Sequence, residues 1–184
     1  MLSDEHLSPP PIYGKMVVRL ATQILSHSVA VGIQTNVAMG LLPPQALATS
    51  KYCQRLNDIF DVLNSSKIKD VVPLRCALTV ESHQTFQFMR ESIEWLKNLK
   101  ILDKNGKDCT ANFRWIDGLI TALNSVKQLT FYLYENFGQQ YLCTRRLCQD
   151  PLENYYSLIR AKGGWNSKPS CLGFSQAYKV TQCV

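Results

Sequence analysis

Apolar residues recur at three- and four-residue steps along most of the chain, and that spacing predicts helices. Over 16–40, Val17, Leu20, Ile24 and Val31 fall near one face, with Leu25 and Val29 beside it. Gly40 suits a helix end there, and Pro43 and Pro44 prevent continuation. The polar residues of this stretch, Thr22, Ser26, Ser28 and Thr35, are small, so close packing against another helix is expected. His27 reads as an ordinary interface residue. A second stripe over 44–64 consists of Leu47, Leu56, Phe60 and Leu63. A third over 81–100 consists of Phe86, Met89, Ile93 and Leu96, with Trp95 adjacent and Ser82 as its candidate cap. Over 116–136, Ile116, Leu119, Ile120, Leu123, Val126 and Leu129 share one side, and Gly138 lies just beyond. A fifth helix over 151–162 would bury Leu152, one of Tyr155 and Tyr156, and Ile159, and end at Gly163 and Gly164. The stretch 70–79 reads as a loop with a short extended piece. Asn105 followed by Gly106 reads as a tight turn. The tail over 165–184 is weakly patterned, with Phe174, Ala177 and Tyr178 its best candidates for contacts. The expected fold class is mainly α.

Composition narrows the class. The 184 residues suffice for one or two small domains, and 46% hydrophobic content is ordinary for a globular chain. No apolar run reaches about 18 residues, so no membrane partner is expected. Residues 1–14 are acidic and Pro-rich and lack the basic-then-apolar order of a signal peptide, so they read as a disordered lead-in. The seven cysteines include no Cys-x-x-Cys pair, and Cys143 and Cys148 have no second pair to complete a zinc site. Reduced, mostly buried thiols in an intracellular protein are expected. The formal charge of +6 suits a polyanionic partner without requiring one.

The densest chemistry lies in 144–169, TRRLCQDPLENYYSLIRAKGGWNSKP. Read from its residues, it is a helix start. Asp150 would cap, Pro151 would take the first helical position, and Glu153 would close a capping box. Such a cap contributes about 1 kcal/mol. Arg145 and Arg146 are a solvated loop pair or a pair of phosphate contacts. Arg160 stands two helical turns beyond Glu153, placed for a phosphate or for charge balance along the helix.

The same stretch resembles a segment near the C-terminus of P-element-type transposases, the family that includes THAP-domain transposases. The pattern there is roughly T-x-R-L-x-Q-D-x-x-E-N-x-F, then I-R, a Gly pair and N-x-x-P. Thr144, Arg146, Leu147, Gln149, Asp150, Glu153, Asn154, Ile159, Arg160, Gly163, Gly164, Asn166 and Pro169 are in register, and Tyr156 replaces Phe. The resemblance implies that Glu153 is the last carboxylate of an RNase H-like catalytic and metal-binding triad, with Asp150 as a helper. It also implies DNA contact by Arg145, Arg146 and Arg160. For Glu153 the cap and the metal ligand compete, because a ligand must face a cleft and not its own helix.

A second resemblance lies in Phe60, Asp61, Leu63, Asn64 and Ser65, which match a Phe-Asp-x-Leu-Asn-Ser segment of the same family. It implies that this region belongs to an all-helical, GTP-binding insertion that splits the RNase H-like fold. Asp61 would accept the guanine N1–H and N2–H, Asn64 would assist, and Lys67 would neutralise phosphate. The plain reading is a solvated helix end with turn residues. No GxxxxGK[ST] loop exists, so any GTP site is not a P-loop.

These readings divide the chain into a lead-in (1–14), an insertion-like helical bundle (15–112), C-terminal helices of a split RNase H-like fold lacking its sheet (113–165), and a tail (166–184). The family's setting would be nuclear, its cofactors Mg²⁺ and GTP, and its partners the DNA of transposon ends. Another copy or a full-length transposase is a further possible partner. The family's two other catalytic Asp residues lie on upstream strands. No room for those strands, or for a zinc-binding THAP domain, is expected here. Two Mg²⁺ ions about 4 Å apart need several converging carboxylates. The chain by itself is therefore expected neither to cut nor to join DNA. The alternatives are a helical interaction module, and a DNA-binding module using Arg145, Arg146, Lys162 and Lys168.

Overall fold

The computed structural model describes residues 18–166 and 168–182, and the side chains from Leu20 onward. The expected lead-in over 1–14 lies outside them. The chain forms two compact units, Met1–Thr144 and Arg145–Val184. Among the described residues the regular structure is helical, with no strand longer than an isolated bridge. No helix of the described residues is long and apolar enough to cross a membrane.

In the first unit, the helix expected over 16–40 is two helices, α1 (Val18–Ile24) and α2 (His27–Ala38). The break falls at Ser26, whose backbone is extended (φ −108°, ψ 157°) and whose Oγ accepts the Val29 N–H at 3.3 Å. A short polar side chain that can satisfy a free N–H makes a helix start cheap. α2 packs along α3 (Ala46–Leu63). Ser50 of α3 donates to the Ala30 carbonyl at 2.8 Å and accepts from Gln34 Nε2 at 2.9 Å, so the two backbones approach closely where Ala30 is fully buried. The expected close packing on another helix is thus made through Ala30, Gln34 and Ser50.

α3 buries Ser50, Cys53, Leu56, Ile59 and Val62 at helical spacing. α4 (His83–Asn98) buries Phe86, Met89, Ser92 and Leu96. Ser82 does not cap α4. Its hydroxyl instead accepts the Thr79 N–H at 3.0 Å. α5 (Trp115–Phe137) ends at Gly138, which takes φ 64°. It contributes Ile116, Leu123 and Val126 to the same core as α3 and α4, and Phe131 packs on Phe86 with ring centroids 5.3 Å apart. This corrects the expected division after residue 112. The apolar face of α5 is spent inside the bundle, so the compact units divide after Thr144.

The loops of this unit meet as single bridges. Lys67 pairs with Cys76 in parallel, and Leu78 pairs with Leu142 antiparallel through N–H···O bonds of 2.9 and 2.7 Å. Leu102 pairs with Asp108 around the expected turn, where Gly106 takes φ 77°.

The second unit is a helical hairpin of α6 (Asp150–Lys162) and α7 (Cys171–Gln182). α7 falls in the stretch expected as a weakly patterned tail. Phe174, Ala177, Tyr178 and Thr181 follow at three- and four-residue steps, and that short stripe is the signal of the helix. Tyr155 and Tyr178 meet edge-on at 6.2 Å, and Ile159 and Ala177 are buried between the helices.

Candidate functional sites at the end of α3 and along α6

Three groups meet at the end of α3. Asn57 accepts the His27 N–H through Oδ1 at 3.3 Å and donates from Nδ2 to Asp61 Oδ2 at 3.1 Å. Arg75 Nε reaches the same Asp61 oxygen at 3.0 Å. The Asp61 side chain is 13% exposed and that of Arg75 49%, so the carboxylate is a largely sheltered ion-pair partner. Asp58, one turn earlier, has its carboxyl held above the ordinary 3.8, first by burial and then by the nearby Asp61 charge. Asn64 ends α3. Lys67 is exposed and lies 3.8 Å from Asp70, whose carboxyl is held low chiefly by the Val72 N–H it accepts. Among the described residues, no side-chain hydrogen bond or ion pair joins Asp61, Asn64 and Lys67 to one another.

Sequence reasoning missed Arg75. It lies on a short 3-10 turn, Pro73–Arg75, and is brought back to α3 by the bridge between Lys67 and Cys76. Nothing in the local spacing announces that return.

One residue beyond Asn64, Ser65 and Thr144 form a buried hydroxyl clamp across 79 positions of sequence. Thr144 Oγ1 donates to the Val62 carbonyl at 2.7 Å, so its lone pairs are left to accept the Ser65 N–H at 2.9 Å and the Ser65 hydroxyl at 3.0 Å. Ser65 Oγ in turn accepts the Thr144 N–H at 3.1 Å. Both hydroxyls and both N–H groups of the pair are satisfied, as burial demands. The clamp fixes the point where the first unit ends.

In the second unit, Glu153, Arg160, Asn166 and Pro169 line one cavity of about 490 Å³ with Tyr156 and Phe174. With Ile159 and Gly163, six residues of the recognised pattern thus face a common space. Asp150, Arg145 and Arg146 do not line it; they are exposed, the two arginines on the 3-10 turn Thr144–Leu147. The expected capping box is absent. Gln149, not Asp150, precedes the helix, and no side chain caps its backbone. Gln149 Nε2 instead donates to Glu153 Oε1 at 2.7 Å, and the Glu153 N–H bonds the Gln149 carbonyl at 2.9 Å. Gln149 sits at φ −81°, ψ 1°, so Asp150 is the first residue of the helix and not the residue before it.

A magnesium pair does not fit the described residues by themselves. They contain no group of three or more His, Cys, Asp or Glu side chains placed to hold a metal. Glu153 is one oxygen donor on an exposed helix face, and Mg²⁺ requires near-octahedral oxygen coordination.

Two family models match the chain. The TNP-like, GTP-binding insertion domain covers residues 12–71, and the TNP-like, RNase H C-terminal domain covers 146–179. The first takes in Asp61, Asn64 and Lys67. The second begins beside the boundary between the two units. The Transposable element P transposase of Drosophila melanogaster is 28% identical over 174 residues, which are 94% of this chain and 22% of that protein. The solved Drosophila P element transposase strand transfer complex has a TM-score of 0.76 and 26% identity, covering 98% of this chain and 39% of that one. The chain therefore spans about a fifth of the length of its curated relative. Matched by both family models and by a relative whose fold it shares over nearly its whole length, the chain belongs to the P-element-type transposases.

Proposed function

We propose that this chain supplies the GTP-binding insertion and the RNase H-type C-terminal helices of a magnesium-dependent, cut-and-paste DNA transposase of the nucleus. A THAP-type zinc module is part of that reading. The observation that carries the nucleotide role is Asp61: a sheltered carboxylate at the end of α3, inside the matched insertion domain and paired with Arg75. Its oxygens would accept the guanine N1–H and N2–H, with Asn64 beside them and Lys67 toward the phosphates. Guanine then competes with Arg75 for Oδ2, and release of Arg75 adds a second cation to the phosphate side.

Glu153 on this reading is the catalytic carboxylate, with Asp150 beside it, and Arg145, Arg146 and Arg160 meet DNA phosphates. No metal-dependent step is assigned to this chain, because its described carboxylates do not assemble the centre. A helical module that binds a transposase copy is the second reading. The exposed Leu152, Leu158, Leu172 and Val180 of the hairpin favour it.

Calorimetric titration with GTP and ATP separates the readings. The nucleotide role requires GTP to bind more tightly than ATP, and Asp61→Ala to weaken GTP at least about tenfold, the loss of a charge-assisted pair of hydrogen bonds. Equal affinities for the two nucleotides, or no change in Asp61→Ala, would leave the interaction module.

A further inference from the structure

Thr144 opens the recognised pattern, yet it does not line the cavity around Glu153. It lies in the first unit, 2% exposed, against the end of α3. That helix ends without a left-handed residue. Asn64 takes φ −129°, ψ 24°, and its N–H reaches the Asp61 carbonyl at 3.3 Å. The last carbonyls of a helix need partners from outside it. The Thr144 hydroxyl supplies one to Val62 at 2.7 Å, and its oxygen takes the Ser65 N–H at 2.9 Å. These two bonds grip the chain on both sides of Asn64.

The grip extends beyond α3. The Lys67 carbonyl accepts the Ala77 N–H at 2.8 Å, across the bridge between Lys67 and Cys76. Leu78, the next residue, exchanges its two bonds with Leu142, and Leu142 leads through Cys143 to Thr144. Thr144 returns to Ser65 through their hydroxyls at 3.0 Å. The end of α3, the segment 67–78 and the segment 142–144 therefore form a closed circuit of hydrogen bonds, in which Ser65, Ala77, Leu78, Leu142 and Thr144 are buried. Lys67 is on the circuit. Asn64 adjoins Ser65, and Arg75 adjoins Cys76, so Arg75 is delivered to Asp61 by the same circuit.

We infer that Thr144 is a positioning residue of the nucleotide site: with Ser65 it closes the circuit that sets Asn64, Lys67 and Arg75 around Asp61, from 79 positions away in sequence. This rests on the nucleotide role proposed above for Asp61. A recognition site discriminates only when the elements carrying its polar groups are themselves held in place. Thr144 suits that task because one hydroxyl donates to Val62 and accepts from Ser65, which an apolar side chain of the same shape cannot do.

The test is calorimetric titration of the full chain with GTP and with ATP, comparing Thr144→Val, Thr144→Ser and Leu123→Ala at a temperature where circular dichroism shows each folded. Thr144→Val should weaken GTP about tenfold and lower the ratio of GTP to ATP affinity. Thr144→Ser keeps the hydroxyl and should restore both to within about threefold of the parent. Leu123→Ala loosens the same bundle elsewhere and should leave the ratio unchanged, because a smaller folded fraction weakens both nucleotides alike. Should Thr144→Val not fold, Ser65→Ala keeps the Ser65 N–H bond to Thr144 and should still lower the ratio, by about threefold. A ratio unchanged in folded Thr144→Val, lost equally in Thr144→Ser, or lost equally in Leu123→Ala overturns the inference while GTP binding that depends on Asp61 stands. A parent chain that does not prefer GTP to ATP overturns both.

Discussion

The two units use the same helical grammar to opposite effect. In the first, Ile59, Val62, Leu78, Met89, Leu96 and Leu123 are all sealed from water, and they come from three helices and a loop. In the second, Ile159 and Ala177 are the buried apolar residues among those described, while Leu152, Leu158, Leu172 and Val180 stay exposed. Burial contributes about 25 cal/mol per Å² of apolar surface, and chains near 40 residues seldom bury enough to fold unaided. The bundle thus makes its own stability, whereas the hairpin presents unspent apolar surface beside its signature residues. Glu153 shares its cavity on that surface with Arg160 and Asn166.

The sharpest way to break this contrast is to truncate one leucine on each side. Leu123→Ala should cost about 2–5 kcal/mol in denaturant unfolding, since it opens a cavity in a closed core. Leu158→Ala, at a position 57% exposed, should cost less than about 0.5 kcal/mol. Similar costs for the two would show that the hairpin is buried as deeply as the bundle.

The hydroxyl clamp gives the next largest effect. Thr144→Val keeps the shape but removes the donor to the Val62 carbonyl and the acceptor for the Ser65 N–H. Leaving those buried groups unpaired should destabilise by about 1–3 kcal/mol. In a thermal-unfolding double-mutant cycle, Ser65→Ala added to Thr144→Val should cost less than it does alone. Strict additivity would mean that the clamp is not a unit and that the bundle does not depend on it at its boundary.

Asp58 gives the smallest effect. Its folded carboxyl is held above the ordinary value by burial, with Asp61 adding to it and Asn57, His27 and Arg55 opposing. The folded chain therefore binds this proton more tightly than the unfolded chain. The resulting stability is fully present below the unfolded value and is lost as pH rises through the folded one. Asp58→Asn should stabilise the bundle at neutral pH by at most about 0.5 kcal/mol and make no difference near pH 3. A variant less stable than the parent at neutral pH would show that the charged form is the one the bundle favours.

Much of the chain was legible because helices report themselves locally. Periodicity located α3 to α6 within a few residues, since each must put an apolar stripe on one face. The recognised pattern marked Glu153, Arg160, Asn166 and Pro169, which do face one cavity. The short stripe of Phe174, Ala177 and Tyr178 was visible too, and Ser170 before it caps the helix by accepting the Gly173 N–H at 3.2 Å, but three apolar positions are weak against a polar background.

Sequence by itself therefore determined that the chain is helical, where most helices begin and end, and which transposase pattern it carries. Only the tertiary structure decided what each stripe faces. Periodicity says that one side of α5 is apolar but not that Phe86 and Leu56 cover it, so the unit boundary moved from 112 to 144. The contact between Asp61 and Arg75 and the clamp between Ser65 and Thr144 depend on loops closing over 14 and 79 positions, and such closure leaves no mark in any local window.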